Sequence, residues 1–224
     1  MARILMKKII IDSFLNLLFP PICFGCDKRL KKDEILCKEC QSKLIYYQND
    51  KIYLKDNVYF TDYISVFSYN SIVQNLIHNF KYNGFKKIGK FLGKEMAKKI
   101  MQSKFLPQIN LIISVPLHRI KMRERGFNQS DILGKSVAQN VHLPYKKNII
   151  VRTRYTETQT KLDIKARQKN VENAFIVKNI GLLKNKNVLI IDDVFTTGST
   201  INEISKVILS AGGKRVYALT SAHA

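Results

Sequence analysis

Nowhere does this 224-residue chain carry an apolar run long enough to span a bilayer. The nearest approach, Met1 to Phe19, begins with basic Arg3, Lys7 and Lys8 but is interrupted by Asp12 and Asn16. No small-residue cleavage site follows it, which argues against a secretory signal. Low-complexity tracts and long internal repeats are also missing. Cysteine is absent outside residues 23–40, and acidic residues are scarce: 17 Asp and Glu against 38 Lys and Arg, a formal net charge of +21. The expectation is a cytoplasmic chain with no transmembrane segment. Its length allows one full domain and a small second one, and a hydrophobic content of 46% can fill a core.

The charge favours polyanionic partners: nucleic acid, phosphorylated ligands or an anionic membrane surface. Lys, Ile and Asn are all abundant, so compositional drift is a competing source of the excess. Residues 4–18 place Ile9, Ile10, Phe14, Leu17 and Leu18 on one face of a short helix, for packing on the domain or for lying on a membrane. Pro20 and Pro21 end it.

The cysteines form two C-x₂-C pairs, Cys23–Cys26 and Cys37–Cys40, separated by ten residues. Four thiolates so spaced converge tetrahedrally on one Zn²⁺ and close its coordination sphere, which makes the metal structural. Gly25 is expected to permit the tight turn of the first pair. Disulfides are the alternative, disfavoured by an otherwise cysteine-free cytoplasmic chain; an iron–sulfur cluster is another. The segmentation that follows is an N-terminal helix (1–19), a zinc finger (20–45), a polar connection (46–61) and a main domain (62–224).

Strands are expected at 62–69, 111–116, 149–152, 188–193 and 215–221. Helices fall at 72–80, 87–101, from about 130 to 140, and after Thr200. The order is that of a largely parallel, doubly wound α/β sheet. Within it Val188-Leu189-Ile190-Ile191 reads as a strand buried on both faces, and Asp192-Asp193 emerge at the carboxyl edge, where open α/β sheets bind ligands. Thr196-Thr197-Gly198-Ser199-Thr200 precedes a helix for which Thr200 and Glu203 fit a capping box. Free N–H groups and hydroxyls there suit a phosphate, and adjacent carboxylates suit ribose hydroxyls or a Mg²⁺ shared with pyrophosphate. A phosphate holder beside a diol holder describes a ribose 5-phosphate site.

This stretch resembles the phosphoribosyl pyrophosphate (PRPP) motif of type I phosphoribosyltransferases. The resemblance implies that Asp192 and Asp193 hold the ribose 2′ and 3′ hydroxyls and are the catalytic acids. It also implies that Thr196, Thr197, Gly198, Ser199 and Thr200 cradle the 5′-phosphate of PRPP bound with Mg²⁺. At the end of the strand at 111–116, the basic run Leu117 to Ser130 offers Arg119, Arg123 and Arg125 to a pyrophosphate or a nucleic-acid backbone, the alternative being a solvated loop. Lys81, flanked by Phe80 and Tyr82 before Gly84, and Arg167 are further candidates. The polar segment 152–170 reads as a lid.

Taken together, the chain resembles the ComF (ComFC) family of competence-associated, phosphoribosyltransferase-like proteins. The matching residues are Leu18-Phe19-Pro20 before the cysteines, Phe80-Lys81-Tyr82-x-Gly84, Val115-Pro116-Leu117-His118, Arg123 through Gln129, then Arg152, Thr156, Gln159, Leu162, Arg167 and Asn170. The resemblance implies a zinc finger fused to a type I phosphoribosyltransferase fold, and a protein of natural transformation that binds single-stranded DNA beside inner-membrane DNA-import machinery, cytoplasmic or peripheral at that membrane. Two functions stand side by side. One is DNA handling with the PRPP site used for binding or regulation, with Tyr46, Tyr47, Tyr82 and Phe127 as stacking candidates. The other is an active phosphoribosyltransferase that moves ribose 5-phosphate to an acceptor.

Overall fold

The computed structural model describes residues 20–31, 34–48, 58–155 and 171–224. The helix expected at 4–18, Arg167 and nearly all of the expected lid lie outside them. In chain order the described elements are α1 (Lys38–Ser42), β1 (Asp62–Ser68), α2 (Ser71–Tyr82), α3 (Lys86–Met101), β2 (Leu111–Ser114), α4 (Arg119–Arg125), α5 (Gln129–Val141), β3 (Ile150–Arg152), β4 (Phe175–Val177), β5 (Asn187–Phe195), α6 (Ser199–Ser210) and β6 (Arg215–His223).

β5 owes its uninterrupted apolar run to being covered on both sides. Leu189 and Ile191 pack, with Ile112, Tyr217 and Leu219, into a core closed by α2, α3 and α5 through Leu76, Phe80, Leu92 and Leu133. Val188 and Ile190 pack, with Ile113, Val216 and Ala218, into a second core closed by Ile201, Ile204 and Ile208 of α6 and by Ile150 and Phe175. The sheet order is β1-β6-β5-β2, and every pairing is parallel. This is the α/β class expected, with β5 central and its carboxyl end beside that of β2.

Local sequence places the helices. Asn70 caps α2, its side chain accepting the Val73 N–H at 3.0 Å. The stripe Ile72, Val73, Leu76, Ile77, Phe80 turns that helix onto the sheet, and Gly84 (φ 69°) reverses the chain into α3. Asn128 begins α5: its side chain accepts the Ser130 N–H at 3.1 Å and donates to Val115 O at 3.0 Å, fastening the start of α5 to the end of β2.

Two expectations are corrected. β3 does not belong to the main sheet; it pairs antiparallel with β4, a three-residue strand too short to show a period in sequence. The basic run after β2 is not a loop throughout: Arg119–Arg125 is helical, started by His118, whose Nδ1 accepts the Ile120 N–H, and stopped by Gly126 at φ 72°. Where the chain leaves the cysteine module, Tyr47 N–H donates to Val66 O and Ser68 N–H to Ile45 O along the free edge of β1.

Candidate functional site

The two acids near the carboxyl end of β5, just past the end of β2, are not equivalent. Asp193 is buried, and its Oδ2 lies 2.8 Å from Lys81 Nζ and 3.2 Å from Gln129 Nε2. Asp192 is half-buried; its Oδ1 accepts the Ser130 hydroxyl at 2.9 Å and the Asp193 N–H at 2.9 Å. The last turn of α2 and the first turn of α5 therefore converge on one carboxylate pair.

The electrostatics follow from that enclosure. Lost hydration and then the neighbouring Asp193 charge push Asp192 up to about 7, against the opposing pull of Lys81 and the hydrogen bonds it accepts. Burial disfavours the Lys81 ammonium, but Asp193 and Asp192 outweigh it and raise its pKa. Arg152, on β3, is lowered by burial, with Asp192 acting in the opposite sense. Its guanidinium lies over Phe175. One buried and one half-buried acid thus face cationic side chains from two separate elements, Lys81 of α2 and Arg152 of β3.

The loop between β5 and α6 lies beside this pair. Gly198 caps α6 in the left-handed region (φ 72°), and a Cβ there would meet Phe195 Cζ at 2.7 Å, so only glycine fits. The expected capping box does not form. The helix begins one residue earlier than Thr200, and Glu203 Oε1 instead accepts the Asn173 N–H at 2.9 Å. The Thr197 and Ser199 hydroxyls bond each other at 2.7 Å. Asn202 N–H makes the bond to Gly198 O, so the N–H groups of Thr200 and Ile201 have no partner within the helix. An N-terminus of this kind attracts an anion.

Of the basic candidates, the structure brings Lys81 and Arg125 to this edge. Arg125 is half-buried, close enough to Lys81 to oppose its charge, and stands over the Tyr82 ring at 5.2 Å. Arg119 and Arg123 are exposed on α4. Gln129 Oε1 and Arg125 Nη1 are buried without a hydrogen-bond partner in the protein, unused polar capacity next to the acids. Gln129 and Ser130 were not assigned to the site from sequence. They lie 64 and 62 residues from their partners, and no local pattern reports such a pairing.

At the other end of the chain the Sγ atoms of Cys23, Cys26, Cys37 and Cys40 all lie within 4.8 Å of one another, a geometry fit for one metal ion. Cys23 Sγ accepts N–H groups from Cys37 at 3.2 Å and Gly25 at 3.4 Å, and Cys37 Sγ accepts that of Cys40 at 3.4 Å. Burial works against the Cys23 thiolate, but the N–H donors of Cys37, Gly25 and Cys26 outweigh it and bring the thiol down to about 7. Burial and the neighbouring sulfurs push Cys40 up. A bound cation would overcome that penalty by ionising the whole set. Gly25 is needed for space rather than for its φ: a Cβ would stand 2.9 Å from Cys40 Sγ, and the left-handed residue of the turn is Asp27 (φ 59°). The module is not a separate body. Cys23, Phe24, Leu30, Leu36 and Cys40 share one core with α2 and α3.

The chain matches two family models, a double zinc ribbon domain over residues 14–51 and a phosphoribosyl transferase domain over residues 130–223. Its four cysteines supply one ligand set. Among curated relatives it is 32% identical to "Competence protein F" of Haemophilus influenzae, with 87% of each chain covered. It is 29% identical to "DNA utilization protein YhgH" of Escherichia coli strain K12, again over 87% of each. It is 26% identical to "Competence protein ComFC" of Bacillus subtilis, over 85% of this chain and 79% of that one. A zinc-ribbon cysteine set packed against a phosphoribosyltransferase-type domain, matched over nearly its whole length to these proteins, places the chain in the ComF family.

Proposed function

We propose that this chain serves DNA uptake by binding single-stranded DNA, and that the edge formed by β5, α6 and α5 holds PRPP with Mg²⁺ as a ligand that supports or regulates that binding. The observation that carries the ligand reading is the juxtaposition of a helix start with free N–H groups and an acid pair already supplied with cations. The names of the relatives, competence and DNA utilization proteins, support the role in DNA uptake. The net charge of +21 supports the polyanion. No helix among the described residues is long and apolar enough to cross a membrane. In this reading the described part of the chain works at the cytoplasmic surface, beside an inner-membrane import apparatus.

The residues fit the ligand. The N–H groups of Thr200 and Ile201, with the hydroxyls of Thr196, Thr197, Ser199 and Thr200, would take the 5′-phosphate. Asp192 would accept from a ribose hydroxyl, while Lys81 and Gln129 hold Asp193 in place behind it. Arg125 Nη1 and Gln129 Oε1, unsatisfied in the protein, would find partners on the ligand. Arg119 and Arg123 would meet the pyrophosphate or a nucleic-acid backbone. Bound Mg²⁺ would neutralise charge on the pyrophosphate.

Turnover is a second reading, favoured by one observation: Asp192, raised to about 7, is poised to take a proton near neutral pH. Release of pyrophosphate from PRPP, lost in Asp192→Asn, would establish it.

The test of the main reading is binding of a labelled single-stranded oligonucleotide across a salt series, with and without PRPP and Mg²⁺. Affinity should fall steeply with salt and change when PRPP is present. Weak binding that neither salt nor PRPP alters would refute it.

A further inference from the structure

Around the turn between α2 and α3, exposed aromatic rings alternate with cations. Tyr82 is 58% exposed and Phe85 41%. Arg125 of α4 stands over Tyr82, Lys86 Nζ lies 5.5 Å from the Phe127 ring centroid, and Lys87 Nζ lies 5.3 Å from that of Phe24. Phe85 itself packs on Phe24 of the zinc ribbon, ring centroids 4.8 Å apart. The arrangement is therefore continuous from the ribbon, over the turn, to the basic helix that follows β2.

Exposed rings of this size have a cost in water, and nothing in the core explains Tyr82, which ends α2 pointing away from it. Its neighbour Lys81 points the other way, onto Asp193. Carboxylates are also scarce in α2, the turn and α3. Between Asp62 and Glu95 the sequence has no acidic residue, and Glu95 is buried against Tyr46 and Lys98. On α4 the one acid, Glu124, lies 3.6 Å from Lys121. Gly84 and Gly126, both in the left-handed region, have no heavy atom within 4 Å of where a Cβ would stand, so the ground beside the rings is open. Rings presented beside cations and away from acids suit unpaired bases and the phosphates between them.

We propose that the Tyr82–Lys87 turn, with Arg125, is the track on which single-stranded DNA lies, running from the zinc ribbon to the mouth of the acid-pair site. This rests on the single-stranded DNA reading above and locates its partner. Tyr82 and Phe85 stack bases; Lys86, Lys87 and Arg125 meet phosphates. The zinc ribbon contributes the Phe24 ledge that sets Phe85, so the module acts on DNA through the turn it supports.

The test compares the zinc-loaded wild-type chain with Tyr82→Ala, Phe85→Ala and Lys86→Ala, using a fluorescent thymidine oligonucleotide and a duplex of equal length. Tyr82→Ala, at the exposed end of a helix, should weaken single-strand binding on the order of 5- to 150-fold while leaving the melting temperature unchanged. Lys86→Ala should reduce the slope of log affinity against log salt by about 0.7. Duplex should bind more weakly than single strand and be insensitive to Tyr82→Ala. Should the wild type bind the oligonucleotide and Tyr82→Ala bind it equally well, the track is wrong and DNA lies elsewhere. Should the wild type fail to bind at low salt, the DNA-handling reading itself falls. Because Phe85 also touches the ribbon, loss of binding in Phe85→Ala supports the track only with zinc content retained; loss together with zinc, and no effect of Tyr82→Ala, overturns it.

Discussion

Lys81 Nζ lies 2.8 Å from Asp193 Oδ2, joining the end of α2 to the end of β5 inside the candidate site, with the Asp193 side chain only 7% exposed. This pair gives Asp193 a counter-ion before any ligand arrives. Removing one member of a buried ion pair leaves the other uncompensated and costs about 3–5 kcal/mol. Lys81→Met should therefore lower the unfolding free energy by that order in urea denaturation. The double variant Lys81→Met with Asp193→Asn should recover most of the loss. Equal destabilisation in the single and double variants would show that the pair does not matter in this way.

The raised pKa of Asp192 predicts a pH dependence. Its folded-state value of about 7 lies above the ordinary 3.8, so between those values the folded state holds a proton that the unfolded state has lost. Its contribution is thus most favourable below about pH 4 and is lost as pH rises through about 7. Asp192→Asn should remove that part of the decline, measured by urea unfolding at a series of pH values. Because ribose hydroxyls donate best to an ionised acceptor, PRPP affinity of the wild type should rise through the same range more steeply than that of Asp192→Asn.

The loop makes a prediction at one position. Gly198→Ala forces an L side chain into φ 72° and drives its Cβ against Phe195. The left-handed conformation alone costs about 1–2 kcal/mol. Ribose 5-phosphate should bind at least 10-fold more weakly to this variant in calorimetry, while the salt-dependent binding of oligonucleotide without PRPP stays as in wild type.

The zinc ribbon should behave as part of the core. Chelation of the metal should release one Zn²⁺ per chain and lower the melting temperature of the whole domain, because Cys23, Phe24, Leu36 and Cys40 share a core with Leu76, Phe80 and Leu92. Gly25→Ala, whose Cβ meets Cys40 Sγ, should weaken zinc retention on the order of 10- to 100-fold in competition with a chromogenic chelator. A chelated chain that melts as before would contradict the shared core.

Features that declare themselves in a few consecutive residues were legible in the sequence. The two C-x₂-C pairs, the apolar run of β5 ending in Asp192-Asp193, and the stripe of α2 each express one local rule. Lys81 was a candidate for an anionic ligand from its aromatic neighbours and the following glycine; its pairing with Asp193, far along the chain, was not legible. What sequence reasoning missed depends on tertiary placement. Gln129 and Ser130 meet the acids at the start of α5, which Asn128 fastens to the end of β2, and β3 pairs with β4 instead of joining the main sheet. The capping box fitted its pattern, yet Gly198 in a left-handed conformation won the helix start. Gly25 was placed correctly for the wrong reason, since lack of room beside Cys40 excludes a side chain there.

The most direct test of the account is calorimetric titration of PRPP with Mg²⁺ into the zinc-loaded full chain, wild type beside Asp192→Asn. The account predicts one site per chain in the wild type, weakened at least 10-fold by the substitution, the order expected when a charged hydrogen-bond acceptor is lost. No binding heat in the wild type, or the same affinity in both proteins, would contradict it.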